Sequence, residues 1–278
     1  MTPAPDAEPD AEADGASPAA VPAGGASGDL PDASRVIAAI RATWGPAHVS
    51  RTGPFEVPSD ATGGRRNCAA RLAPVGAAFT EADLAAVEAL KPGAIFGTLD
   101  DLEDPLATAL AARGYRAEGI TTLMAGPVAP LLADPPPPVS GFPHWPPCAL
   151  AEDLWAAQGT GPDRLAVAAR APDPKAAILL RASDRAAGAL FVAVHGDMAA
   201  LHMVFTLPAR RRQGVGGIGL RHAARFADRH GARWIVLPVE SDNAPARSLY
   251  RRAGLTDVGG YRYWRRPPAS PCGGLTAC

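Results

Sequence analysis

Arg210-Arg211-Arg212-Gln213-Gly214-Val215-Gly216-Gly217-Ile218-Gly219 is the segment of this chain best suited to chemistry. Glycines let the backbone fold tightly, so several N–H groups converge where a helix begins and its partial positive charge is strongest. With three arginines beside it, such a loop suits a diphosphate. Gly214, Gly216 and Gly219 also satisfy G-x-G-x-x-G, and Glu240 stands where a dinucleotide fold would put its ribose-binding acid. That reading fails on context. A dinucleotide-binding strand runs apolar almost to its first glycine, whereas Pro208 to Gln213 intervenes here, and the remaining residues are too few for repeated βαβ units.

The elements that must carry this loop follow from hydrophobic period and turn composition. Lys175–Ala182, Ala187–His195 and Met198–Leu207 read as three strands of an antiparallel meander. Leu220, Ala223, Ala224 and Ala227 then recur on one helical face, and Gly231 ends that helix. A strand from Trp234 to Val239 follows, then a helix capped near Asp242-Asn243 and stopped by Gly254, then a strand near Tyr261–Trp264. Strict alternation puts His202 on one strand face with Ala200, Val204 and Thr206, so its imidazole could reach a cleft beside the loop.

The first half repeats part of this plan: helix Thr80–Leu90, strand Ala94–Gly97, helix Pro105–Arg113, strand Glu118–Met124. Setting Arg113-Gly114-Tyr115 against Ala253-Gly254-Leu255 aligns the two halves at a separation of 140 residues. Residues 1–33 lack aromatics and read as a disordered acidic tail, with 269–278 as a second flexible tail. The division between them is a first lobe over 34–132, a proline-rich connector over 133–147 and a second domain over 148–268.

Composition narrows the class. A net charge of −1 excludes the basic excess of a nucleic-acid binder. Apolar runs are too short to cross a bilayer, which takes about 20 residues, so no membrane partner is expected. The four cysteines show no C-x-x-C spacing, so no metal site is expected. No signal peptide opens the chain, and the reading is a cytoplasmic protein.

The meander, the loop Arg211 to Gly216 matching R/Q-x-x-G-x-G/A, Pro208 three residues before Arg211, and Asn243, Ala246 and Tyr250 in N-x-x-A-x-x-x-Y together resemble the GNAT N-acetyltransferase superfamily. The resemblance covers about 175–265. It implies an α/β (α+β) fold whose mixed, mostly antiparallel twisted sheet is flanked by helices. The first half resembles a degenerate lobe of the same fold: Pro74 to Thr80, where its loop should lie, has no arginine and only one glycine. Two GNAT-like lobes in tandem are therefore expected, with a cofactor site in the second alone.

The resemblance also assigns roles. Acetyl-CoA would lay its pyrophosphate on Arg211, Arg212, Gln213, Gly214, Val215 and Gly216, and its pantetheine arm along Val204, Phe205, Thr206 and Asn243. Tyr250 matches the family acid that protonates the departing thiolate. Both family positions for a general base are blank, being Ala200 and Pro238, so His202, Glu240 and a water relay stay open as routes for the proton. The expected activity is N-acetylation of an amine-bearing small molecule or protein by direct attack in a ternary complex, by a monomer or homodimer. The alternative is a non-catalytic acetyl-CoA-binding or interaction protein that keeps the fold.

Overall fold

A computed structural model describes residues 29–59 and 63–267. The two expected tails fall outside this range except for residues 29–33. The first half runs α1 (Ala33–Thr43), β1 (Val49–Thr52), β2 (Phe55–Pro58), α2 (Arg65–Cys68), β3 (Ala69–Leu72), α3 (Glu81–Leu90), β4 (Ile95–Leu99), α4 (Asp104–Ala112) and β5 (Arg116–Pro127). The second runs α5 (Ala129–Leu132), β6 (Gly141–His144), α6 (Ala149–Ala156), α7 (Pro162–Arg170), β7 (Lys175–Ala182), β8 (Arg185–His195) and β9 (Met198–Thr206). It closes with α8 (Val215–Arg229), β10 (Trp234–Glu240), α9 (Ala244–Arg252) and β11 (Thr256–Arg265).

Among the described residues the strands form one sheet in the order β1-β2-β3-β4-β11-β5-β10-β9-β8-β7-β6. Its centre is palindromic. β3 lies parallel to β4 and β9 parallel to β10, while β4–β11, β11–β5 and β5–β10 are all antiparallel. A shift of 140 residues carries Asp104–Ala112 of α4 onto Ala244–Arg252 of α9, as the alignment of Gly114 with Gly254 requires. Each half also lends a strand to the other, because β5 sits between β10 and β11, and β11 sits between β4 and β5.

The helices cover both faces. On one, α8 buries Leu220, Ala223, Ala224 and Ala227 against Ile178, Leu190 and Ile235. On the other, α1 lays Val36, Ile37 and Ile40 across β9, β10 and β11, with Asp32 accepting from the Arg35 N–H at its start. Hydrophobic periodicity in the sequence reading assigned no element to 33–43 or 149–170, where α1, α6 and α7 stand. Those segments are short and alanine-rich, and alanine marks neither face of a helix. The proline-rich stretch holds β6, the edge strand paired with β7, where prolines cost least because one side of the backbone needs no partner.

Gly126 of β5 stands where the interlocked strands press closest: a Cβ there would lie 2.8 Å from the Gly254 carbonyl oxygen and 2.9 Å from Leu255 Cα. Backbone cannot yield as a side chain can. Gly126→Ala should therefore destabilise the whole protein by about 1–3 kcal/mol, as overpacking does. Thermal melting at two wavelengths checks this; an unchanged Tm would show that the two halves are not tightly interlocked here.

Candidate active site

The site begins with a parting of strands. β9 and β10 pair only at Met198–Trp234, Ala199–Ile235 and Ala200–Val236. Beyond those residues the two strands diverge, and two clefts open in the gap. Pro238 lies on the diverging part of β10, where its missing N–H forfeits no ladder bond to β9; on the far side it sits opposite Leu123 of β5.

A bulge in β9 accompanies the parting. Phe191 faces His202, but Ala189 faces Phe205, so one extra residue is accommodated between them, and Met203 takes a left-handed φ of 48°. Trp155 Nε1 donates to the Met203 carbonyl at 2.8 Å and pins the distortion. The bulge corrects the expected alternation: Val204 packs with the α8-face cluster, whereas His202 stacks on Trp44 at 4.9 Å on the opposite face.

The larger cleft, about 780 Å³, is lined by Val204, Phe205, Thr206, Arg211, Arg212, Gly214, Val215, Gly216, Asn243 and Tyr250. Gln213 borders a different, shallower depression. Arg210 and Arg252 add to the positive wall, and no acidic residue among those described lines it. Gly214 opens α8 in the left-handed conformation, φ 78°, with no side-chain cap. The first N–H groups of α8 therefore lack both an intrahelical acceptor and a capping one. Gly216 and Gly219 serve packing: a Cβ on Gly216 would meet Leu249 at 2.5 Å, and one on Gly219 would meet Leu180 at 2.9 Å.

The corresponding helix of the first half contrasts with this. At α3, Thr80 Oγ1 accepts from the Asp83 N–H at 3.2 Å while Asp83 Oδ2 accepts from the Thr80 N–H at 2.8 Å. That reciprocal box fills the helix start with its own carboxylate, which would repel a diphosphate.

The smaller cleft, about 360 Å³, shares Val204, Asn243, Ala246 and Tyr250 with the larger one. Its other walls include Trp44, Arg65, Arg66, His202, Glu240 and Tyr261. Tyr250, on α9, stands where the two meet. Burial pushes its pKa up to about 12, so the hydroxyl keeps its proton at neutral pH. That hydroxyl has no hydrogen-bond partner among the described residues and is not sealed off, so it faces the clefts. Asn243 Oδ1 accepts from the Ala246 N–H at 3.2 Å and caps α9, which leaves the Nδ2 donors to the cleft.

His202 has both ring nitrogens engaged. Thr43 Oγ1 donates to the Ala39 carbonyl at 2.8 Å, so toward Nε2, 2.9 Å away, it acts as acceptor. Nδ1 then carries the lone pair and accepts from Arg66 Nη1 at 3.4 Å. Burial and the Arg66 charge hold the imidazole well below its ordinary pKa. Glu240, at the end of β10, is exposed on the cleft rim, with Arg65 Nη2 3.7 Å away. Trp44, Arg65, Arg66, Tyr261 and Tyr263 were not singled out in the sequence. Among them, only the arginine pair after Gly63-Gly64 carries any local hint of a binding role.

With this geometry in view, the comparisons are specific. Residues 133–255 match the profile of the Acetyltransferase (GNAT) family. This segment is a GNAT domain. Over 87 residues, 31 % of the chain, it is 36 % identical to the mycothiol acetyltransferase of Clavibacter michiganensis subsp. michiganensis, covering 28 % of that protein. Over 52 residues, 19 % of the chain, it is 44 % identical to the streptothricin acetyltransferase of Streptomyces lavendulae, again covering 28 %. The matched stretch thus spans under a third of these relatives' length. In structure, a GCN5-related N-acetyltransferase from Kribbella flavida superposes with a TM-score of 0.63 at 21 % identity, over 85 % of this chain and 96 % of that one. A tandem GNAT protein from the clavulanic acid biosynthesis pathway gives 0.55 at 18 % identity, over 81 % and 85 %. Both halves of the chain are thus covered by the fold likeness. No helix among the described residues is long and apolar enough to cross a membrane.

The state of His202 has a consequence for stability. Its folded pKa is depressed, so below about 6.5, its ordinary value, the unfolded chain binds a proton that the folded chain resists. Stability from this group is complete above that pH and is lost as pH falls toward the folded pKa. The Tm should decline between pH 6.5 and 5, and less steeply in His202→Gln. An equal slope in the variant would show that His202 is not held neutral.

Proposed function

We propose that the chain is an acetyl-CoA-dependent N-acetyltransferase that binds the donor in the larger cleft and the acceptor amine in the smaller one, with direct transfer between them. The observation that carries this reading is the meeting of the clefts at an unpartnered, protonated Tyr250 hydroxyl. The fit to the donor rests on the uncapped start of α8, the arginines around it and the freed β9 edge. Acetyl-CoA supplies the thioester.

The chain's residues would do the rest. The N–H groups of Gly214, Val215 and Gly216, with Arg211 and Arg212, hold the diphosphate; the backbone of Val204, Phe205 and Thr206 and the Asn243 amide hold the pantetheine arm. Tyr250 gives its hydroxyl proton to the leaving sulfur. Glu240, the carboxylate lining the acceptor cleft among the described residues, takes the proton from the acceptor ammonium directly or through water. His202, with no free nitrogen, orients Trp44 and Arg66 instead of moving a proton. The self-capped start of α3 supports one donor site per chain.

Tyr250→Phe keeps the ring and removes the proton, and should lower kcat by about 10²–10⁴-fold with acetyl-CoA affinity nearly unchanged. Release of free CoA thiol over a panel of amines, run beside calorimetric titration of the donor, measures both. Undiminished turnover in a stable variant would reject the acid role. Tight donor binding with no thiol release from any amine would favour a non-catalytic acetyl-CoA-binding protein.

Glu240→Gln should reduce kcat/KM by about 10²-fold near neutral pH, a usual share for a positioned base. The deficit should shrink as pH rises toward the acceptor's own pKa, where the amine sheds its proton unaided. A deficit that is constant across pH would remove Glu240 from proton transfer.

A further inference from the structure

The deep wall of the acceptor cleft holds a cation with no counter-charge. Arg66 Nη2 donates to Tyr261 Oη at 3.1 Å and Nη1 donates to His202 Nδ1 at 3.4 Å. A guanidinium has five N–H donors, so three remain. One of them, Nε, is buried with no partner and closed to the cleft, so the donors left for a ligand are those on Nη1 and Nη2. The guanidinium's partners are neutral, Tyr263 also faces it, and no carboxylate reaches it among the described residues. A buried charge left this way is costly unless something pairs with it.

The surroundings deepen the imbalance. Behind Arg66 a small cavity of about 30 Å³ is lined by Arg41, Arg71, Tyr261 and Tyr263 as well. Arg71 is paired with Glu56 at 3.1 Å, but the Arg41 guanidinium makes no hydrogen bond to the described residues, and burial together with the Arg71 charge pushes its pKa down to about 10. Toward the open side, Arg65 and Arg164 also line the acceptor cleft, against the single carboxylate of Glu240 on its rim. Glu56 and Glu103 lie near Arg41 and Arg71, but among the described residues lining the acceptor cleft itself the one carboxylate, Glu240, sits at the mouth.

We propose that the acceptor is a zwitterion of amino-acid type, whose carboxylate is held by the free donors of Arg66 while its amine faces Tyr250 and Glu240. This rests on the acetyltransferase reading and names its substrate class. Arg66 binds substrate here; Tyr261 positions Arg66 and supplies no charge. A planar carboxylate matches the guanidinium fork with two parallel bonds. A cleft of about 360 Å³ has room for a group of amino-acid size. The same site disfavours polyamines, whose second cation would face the arginines.

The test pairs each common L-amino acid with its own α-carboxamide, so that side chain and size are shared and only the carboxylate differs. The ratio of kcat/KM for acid over amide is measured by thiol release in the wild type, Arg66→Gln and Arg66→Lys. Comparing the ratio between enzymes cancels the differing basicity of the two amines. For at least one side chain the ratio should fall about 10- to 100-fold in Arg66→Gln, the usual worth of a hydrogen bond to a charged group, and less in Arg66→Lys. A ratio unmoved in a folded Arg66→Gln variant overturns the proposal, as does the absence of any amino acid among the wild type's acceptors.

Thermal shift of the wild type with the same probes gives a readout that needs no turnover and no variant. The acid should raise Tm where its amide does not; equal shifts, or none, overturn the carboxylate site. Failure of the underlying reading looks different. Carboxylate-dependent thermal shifts with no thiol release from any amine would leave the anion site standing and remove acetyl transfer.

Discussion

Two parallel strands that stop pairing after three residues are the constraint on which the rest depends. β9 and β10 are joined at Ala200–Val236 and apart beyond it, and a sheet that opens there must satisfy the exposed backbone by other means. Proline at 238 removes one donor, the Met203 bulge turns another part of the edge, and the Trp155 indole takes the Met203 carbonyl. The remaining edge of β9, Val204 to Thr206, lines the larger cleft. Binding capacity in this fold is thus a by-product of incomplete pairing, and the start of α8 lies at the mouth of the same gap.

The second organising feature is the reciprocal loan of strands. Because β5 lies beside β10, the first half braces the strand that carries Pro238 and Glu240; because β11 lies beside β4, the second half supplies Tyr261 and Tyr263 to the wall containing Arg66. The smaller cleft accordingly takes residues from the C-terminal end of α1 and from α2, β5, α7, β9, β10, α9 and β11. Neither half could form it alone. The two halves differ at the helix starts: α3 is closed by its own Thr80–Asp83 box, while α8 is left open behind Gly214.

Charge is distributed to match. Arginines with no acid among them ring the larger cleft, and the deep end of the smaller one is cationic while its rim bears Glu240. Elsewhere arginines are matched with carboxylates, as in Arg113 with Glu88 and Arg247 with Asp257. Such exposed pairs add little to stability. What distinguishes the clefts is that their arginines, Arg65 beside Glu240 apart, have no such partner among the described residues.

The sequence by itself determined the fold from Lys175 onward. Lys175–Ala182 is a strand within its expected bounds, Trp234–Glu240 runs one residue past the expected end, and Ala244–Arg252 lies between the cap and stop residues that mark it. These are local properties: period, cap, turn and glycine stop act over a few residues, and the basic glycine loop is contiguous. The repeat at 140 residues was legible through helix stops for the same reason. The tertiary structure decided the sheet order, because which strand neighbours which depends on packing between distant segments; no local signal marks β5 as a partner of β10. It decided that Val204 faces away from His202, since one bulged residue reverses every side chain beyond it. And it decided the surroundings of Arg66, which reads in sequence as one arginine among many and is enclosed beside His202 and Tyr261 with no carboxylate among the described residues.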